Sequence, residues 1–222
     1  MAMPKHIAIS LDSFPDWRSD NNAGINELIQ AYFKYLGKLL DVQAKLRIQV
    51  VTIYLFPETA EKSGGAYFAF CEKMSEFFAQ LSEKDIVHEN KIKISVFGKW
   101  YNLPGRAIES LKNIIELTKD YNRFFANFCI NYDGQEEIVD ACRLVAKQVE
   151  LGKINPEMIT KDSVKESLYS SNFMPPDIIL IYGEKKLSGL LLWDSVNSKI
   201  VFAGKSFMEF EEGDVEKIYR IV

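Results

Sequence analysis

Phe124-Phe125-Ala126-Asn127-Phe128-Cys129-Ile130, then Asn131-Tyr132-Asp133-Gly134, then Gln135 to Leu151, is the stretch that decides the fold. The first seven residues are an apolar run bounded by turn formers, which reads as a strand. From Gln135 the period changes. Ile138, Ala141, Cys142, Val145 and Val149 recur at helical spacing and define one face. A strand that passes through a short polar loop into an amphipathic helix is the building unit of a parallel sheet.

The same unit repeats on both sides of this stretch. Upstream, Ile7–Leu11, Ile48–Leu55 and Ile92–Phe97 read as strands, with helices expected over Ile25–Leu40, Gly65–Leu81 and Pro104–Tyr121. Downstream, Asn155-Pro156 has the form of an N-cap followed by proline at the first helical position. Thr160 or Asp162 opens another short helix, and strands follow at Ile178–Tyr182 and Ile200–Phe202 before a terminal helix over Glu212–Ile221. The expected architecture is α/β, a single domain over residues 1–222, with a six-stranded, largely parallel sheet flanked by helices.

Composition fits that reading and excludes several classes of function. Of 222 residues, 47% are hydrophobic and 26% charged, with a net charge of −4. A chain of this length buries roughly 70% of its unfolded surface, so it needs no disulfide or metal to fold. The acidic balance argues against nucleic acid as a partner. Cys71, Cys129 and Cys142 sit singly in apolar segments, as buried reduced thiols of a cytoplasmic protein do. His6 and His88 are the two histidines, without zinc-ligand spacing or a nucleophile partner. No apolar run reaches the ~18 residues of a membrane span, and Met1–Lys5 lacks the apolar core of a signal peptide.

Ligands of open parallel sheets sit beyond the carboxyl ends of the strands. Asp12 ends the first strand, where a carboxylate suits Mg²⁺ bound together with substrate phosphates, or alternatively caps a helix. In the fifth-strand loop, Tyr182-Gly183-Glu184-Lys185-Lys186-Leu187-Ser188-Gly189 precedes the apolar Leu190–Trp193. This is either a phosphate cradle at a helix N-terminus or a solvated turn. The helix over Gly65–Leu81 carries Phe70, Met74, Phe77 and Leu81 on one stripe and Tyr67, Phe68, Cys71 and Phe78 on another. Apolar on most of its girth, it reads as buried core, or as one wall of an apolar groove.

Taken in order, these segments resemble the cis-prenyltransferase family, typified by undecaprenyl diphosphate synthase. The resemblance is carried by His6–Asp12 with Trp17-Arg18, by Thr52–Phe56, by Phe97-Gly98 with Leu103-Pro104, and above all by Ile130–Ala141 and by Pro176-Asp177 with Gly183–Trp193. It implies condensation of isopentenyl diphosphate with an allylic diphosphate, with Mg²⁺ as cofactor, a dimer and a hydrophobic tunnel. By the same resemblance, Asp12 is the catalytic and metal-binding residue. Lys186 and Ser188 meet the substrate diphosphate, Trp17 and Arg18 bind substrate, and Phe70, Met74 and Phe77 of the helix that walls the tunnel bind substrate as well.

The departures from the family pattern are as informative. The family's first-motif arginine falls on Asp16 and its asparagine on Phe14. The fifth-strand arginine is missing, because the segment at Ile181-Tyr182 is one residue short. The second arginine of that motif is Lys186, the late metal-binding glutamate falls on Lys199, and Pro57–Ser63 replaces the second-motif block. Lysine lacks the bidentate fork of arginine. Each lost charge-assisted contact costs roughly 1.5–3 kcal/mol. The shortened Asp177–Gly183 segment with Leu187–Leu190 is similar to the Nogo-B-receptor type of non-catalytic subunit in heteromeric cis-prenyltransferases. The C-terminal glycine of that type is absent from Tyr219-Arg220-Ile221-Val222.

Two functions are therefore expected. One is a catalytically reduced subunit that supports a catalytic homologue in making a polyprenyl diphosphate, the precursor of a glycosyl carrier lipid. The other is a divergent stand-alone Mg²⁺-dependent prenyl diphosphate transferase or cyclase that uses Asp12. The partners implied are a catalytic homologue or a second copy, isoprenyl diphosphates and, peripherally, a membrane.

Overall fold

The computed structural model describes residues 4–11, 24–57 and 64–221, and the side chains of these up to residue 218. Asp12, Asp16, Trp17, Arg18 and most of the second-motif block lie outside the described residues.

Six strands form one sheet: β1 (His6–Ser10), β2 (Val50–Pro57), β3 (Ile92–Phe97), β4 (Phe124–Tyr132), β5 (Ile178–Ile181) and β6 (Lys199–Phe202). Their order is β3-β4-β2-β1-β5-β6, and every neighbouring pair is parallel. Among the described residues, seven α-helices connect and flank them: α1 (Ile25–Leu46), α2 (Gly64–Leu81), α3 (Asp85–Glu89), α4 (Gly105–Thr118), α5 (Gly134–Glu150), α6 (Lys161–Lys165) and α7 (Glu212–Ile221).

Strand alternation divides the core. Ile7 and Ile9 of β1, and Ile178 and Leu180 of β5 with Tyr182 just beyond it, face a large cluster under α1, α2, α4 and α7. Ala8, Ile179 and Ile181 face a smaller cluster with Phe97, Cys129, Tyr132, Leu190 and Leu191. A two-sided core explains why the strands read as continuous apolar runs.

Several local expectations are corrected. Helix α1 runs to Leu46, well over a turn past Leu40. Val42 and Gln43 continue the buried stripe, and the Gln43 amide donates to the Ile48 and Phe125 carbonyls at 3.2 and 2.9 Å. Arg47, at φ 55°, ends it in the left-handed conformation. Cys142 is exposed, unlike Cys71 and Cys129. Ala141 and Val145, four residues apart, take the inward face of α5, and Cys142 is rotated ~100° from Ala141. Phe68 is 59% exposed, off the buried side of α2.

Candidate functional site at the strand ends

The two sequence blocks that carry most of the resemblance meet in space. β4 ends in Asn131-Tyr132, and the Asp133 side chain caps α5 by accepting from the Gln135 and Glu136 amides at 2.7 and 3.1 Å. Asp133 thus fills the anion-binding end of α5 from within the chain. Gly134 then packs directly on Gly189 of the fifth-strand loop. A Cβ at position 134 would lie 2.0 Å from the Gly189 carbonyl oxygen. Two residues further on, the Leu191 amide donates to the Tyr132 hydroxyl at 3.2 Å.

A buried polar network locks this junction. The Tyr132 hydroxyl donates to Glu137 at 2.5 Å, and the Ser170 amide donates to the other Glu137 oxygen at 3.3 Å. The Ser170 hydroxyl and the Lys165 ammonium both reach Asp194 Oδ2 at 2.6 Å. Glu137 is 1% exposed, and burial raises its carboxyl above the ordinary value despite the donors around it. The Tyr132 hydroxyl is raised as well, by burial and by its buried neighbours. Sequence reading missed Lys165, Ser170, Asp194 and the role of Glu137. Glu137 lies within the Ile130–Ala141 stretch, where nothing in the sequence marks it as buried. The other three are scattered polar residues, and only the fold brings them together.

The fifth-strand loop corrects one expectation. Leu190–Trp193 form turns rather than an apolar helix, followed by a 3₁₀ turn at Asp194–Asn197. Leu191 at φ 47° is left-handed, which breaks a right-handed helix at its start. No helix N-terminus therefore follows Ser188 to hold a phosphate. Lys186 and Glu184 pair at 2.5 Å with both side chains about three-quarters exposed, and Lys186 holds the Glu184 carboxyl below its usual range. Ser188 is half-buried, and Lys185 is exposed. Elsewhere at this end of the sheet, Lys99 pairs with Glu136 at 2.8 Å and Lys205 with Asp214 at 2.9 Å.

Leu11, the last described residue of this segment, stands at the carboxyl end of β1, and Asp12, next in sequence, lies outside the described residues. Lys199 is the first residue of β6, in register with Ile178 at the start of β5. It stands at the opposite end of the sheet from Leu11. Among the described residues, no three His, Cys, Asp or Glu side chains converge as a metal site.

The three tunnel candidates lie in the interior. Phe70 and Met74 are 1% exposed and belong to the large core cluster. Phe56, near the end of β2, stacks on Phe70 at 5.4 Å. Phe70 meets Phe33 at 5.1 Å, and Phe33 meets Phe77 at 5.4 Å. Tyr32, Phe207 and Tyr182 continue the ring packing at 5.4 and 5.5 Å. Among the described residues, these rings pack against one another between α1, α2 and the sheet. Phe77 also borders an open cleft, on the outer side.

A parallel α/β sheet with a loop junction at its strand ends is the architecture of a protein that handles its ligand beyond β1, β4 and β5. The family described as "Putative undecaprenyl diphosphate synthase" matches residues 17–221, and the chain belongs to it. Among curated proteins it is 32% identical to the tritrans,polycis-undecaprenyl-diphosphate synthase (geranylgeranyl-diphosphate specific) of Methanocaldococcus jannaschii, over 90% of this chain and 73% of that protein. It is 29% identical to an isoprenyl transferase of Halalkalibacterium halodurans, over 95% and 82%. Lavandulyl diphosphate synthase from Lavandula x intermedia, solved with dimethylallyl diphosphate, superposes with a TM-score of 0.89 at 21% identity, over 99% of this chain and 94% of that one. A probable undecaprenyl diphosphate synthase from Campylobacter jejuni gives 0.75 at 22% identity, over 100% and 95%. These two establish the fold.

Proposed function

We propose that the chain is a catalytically reduced subunit of a cis-prenyltransferase, which supports a catalytic homologue in making polyprenyl diphosphate in the cytoplasm. The observation that carries this reading is the charge state of the strand ends. Lys99, Lys186 and Lys205 are each already paired with a carboxylate, at the end of the sheet where a diphosphate would need uncompensated cations. The packing of Phe56 on Phe70 and of Phe70 on Phe33 agrees, since these rings occupy part of the space that a long polyprenyl chain would need.

A second reading rests on that same interior. A short prenyl diphosphate needs no tunnel, and a stand-alone transferase or cyclase would hold one at the strand ends. Asp12 would bind Mg²⁺ together with diphosphate oxygens and water, a donor set that suits a hard cation. Mg²⁺ would supply charge neutralisation of the leaving diphosphate, with Lys186, Ser188, Trp17 and Arg18 around it. In either reading, the substrates are isoprenyl diphosphates.

Labelled isopentenyl diphosphate, Mg²⁺ and geranylgeranyl diphosphate (the primer that the archaeal relative's name specifies) separate the two readings. The chain is assayed alone, with a family member that retains the arginines, and as Asp12→Ala. The subunit reading expects no product alone and at least a tenfold gain in the mixture that survives Asp12→Ala. Product from the chain alone, lost in Asp12→Ala, overturns it in favour of the second.

A further inference from the structure

The outer surface between α1 and α2 carries a cleft of about 370 Å³, away from the strand ends. That is about a dozen waters' worth of space at ~30 Å³ each. Phe33 and Phe77, 6% and 8% exposed, border it together with Gly37. Around them stand Lys34, Lys38, Lys73 and Lys84 against two carboxylates, Asp41 and Glu76. This is a local cationic excess on a chain whose net charge is −4.

The lysines are not equivalent. Lys73 is held by Glu76 at 2.6 Å, and Lys38 lies 5.2 Å over the Tyr35 ring. Lys34 and Lys84 have no carboxylate partner among the described residues. Gly37 keeps the cleft open. A Cβ there would approach Lys84 Nζ at 3.5 Å and Phe77 at 3.9 Å, so any larger side chain would fill the space. Glycine weakens a helix interior, and here it leaves the edges of two rings and the Lys84 ammonium, which has no carboxylate partner among the described residues, at one cavity.

We infer that the α1–α2 cleft binds an anionic amphiphile, with its phosphate or carboxylate headgroup on Lys34 and Lys84 and its first methylenes on Phe33 and Phe77. The pairing follows from the chemistry. An unpaired ammonium is satisfied by an anion, and aromatic surface bordering a cavity is satisfied by hydrocarbon. A fully hydrated small anion would leave the rings unused, and a neutral apolar ligand would leave the charges unused. The inference does not depend on whether the chain is catalytic.

Such a headgroup can come from a lipid surface or from a free molecule, and the probes separate them. Co-sedimentation uses phosphatidylcholine vesicles with and without one quarter phosphatidylglycerol, and calorimetry uses decyl phosphate below its micellar concentration. Two variants are compared with the parent chain after circular dichroism confirms their fold. Lys34→Glu/Lys84→Glu reverses the charges, and Gly37→Leu fills the cleft without changing charge. Each should weaken binding at least tenfold, while Lys112→Glu/Lys147→Glu, at exposed positions of α4 and α5, should leave it within twofold. Binding to the anionic vesicles assigns the source to a lipid surface, and binding to decyl phosphate alone assigns it to a free ligand. Binding of neither probe overturns the inference. So does binding that survives either cleft variant, since retention in Gly37→Leu would mean diffuse surface attraction without a site.

Discussion

Gly134 and Gly189 touch backbone to backbone, with the carbonyl of one occupying the space a side chain of the other would need. A Cβ at 134 would stand 2.0 Å from the Gly189 oxygen and 2.9 Å from Leu192 Cγ, so Gly134→Ala forces α5 and the fifth-strand loop apart. The expected loss is about 1–3 kcal/mol, as for other overpacked contacts, and it exceeds the helix-propensity gain of alanine. Gly105→Ala is the comparison, because its Cβ meets nothing within 4 Å in the first turn of α4. Urea unfolding should show the first variant destabilised and the second within about 0.5 kcal/mol of the parent.

His6 sets an acid limit. Its Nδ1 lies 2.6 Å from the Met174 carbonyl, which can only accept, so Nδ1 carries the proton. Nε2 then accepts from the Thr52 hydroxyl at 2.8 Å, and Thr52 accepts from the Asn127 amide at 3.2 Å. A second proton would put two donors face to face in a buried site, and burial lowers His6 from 6.5 to about 4. A depressed histidine binds its proton more readily in the unfolded chain. Its contribution is therefore complete above pH 6.5 and is lost as pH falls through 4, by about 3 kcal/mol. Unfolding free energies between pH 4 and 7 should fall steeply on the acid side for the parent and less steeply for His6→Gln.

Asp194 holds both Lys165 and Ser170, and its side chain is 4% exposed against 21% for Lys165. Asp194→Ala leaves a largely buried ammonium uncompensated, with an expected cost of about 3 kcal/mol. The double variant Asp194→Ala/Lys165→Met removes the stranded charge and should recover part of that loss. Chemical denaturation of the four combinations measures the coupling directly, and strict additivity would refute it.

Gly37 gives a prediction of opposite sign. Alanine fits there, since the nearest atom is the mobile end of Lys84 at 3.5 Å. Gly37→Ala should raise stability by about 0.5–1 kcal/mol by strengthening the interior of α1. Thermal unfolding should show a higher midpoint, and a lower one would mean that the lysine cannot yield.

The sheet was legible because alternation and period reveal which segments are strands and which are helices. Ile92–Phe97, for example, has the same bounds by either route. Order within the sheet came with the fold itself, since the pairing of β1 with β5 spans 171 positions from Ile7 to Ile178 and leaves no local trace. The strand-end site was legible as two sequence blocks, and the contact of Gly134 with Gly189 shows why both are glycine there. Lys165, Ser170 and Asp194 were illegible because each is an ordinary polar residue until the chain brings it beside the others. The left-handed Leu191 was equally hidden, for leucine rarely takes that conformation and nothing in Ser188–Trp193 announces it.

The central position of β1, between β2 and β5, has a consequence for how the protein is made. Synthesis proceeds at roughly 5–20 residues per second. The strand beginning at His6 thus waits on the order of 10–30 s for its second neighbour, with the N–H and C=O groups of one edge unpaired by it throughout. The protein's most buried strand is the one exposed longest at birth. A change that delays β5 would lengthen that wait without altering the finished sheet.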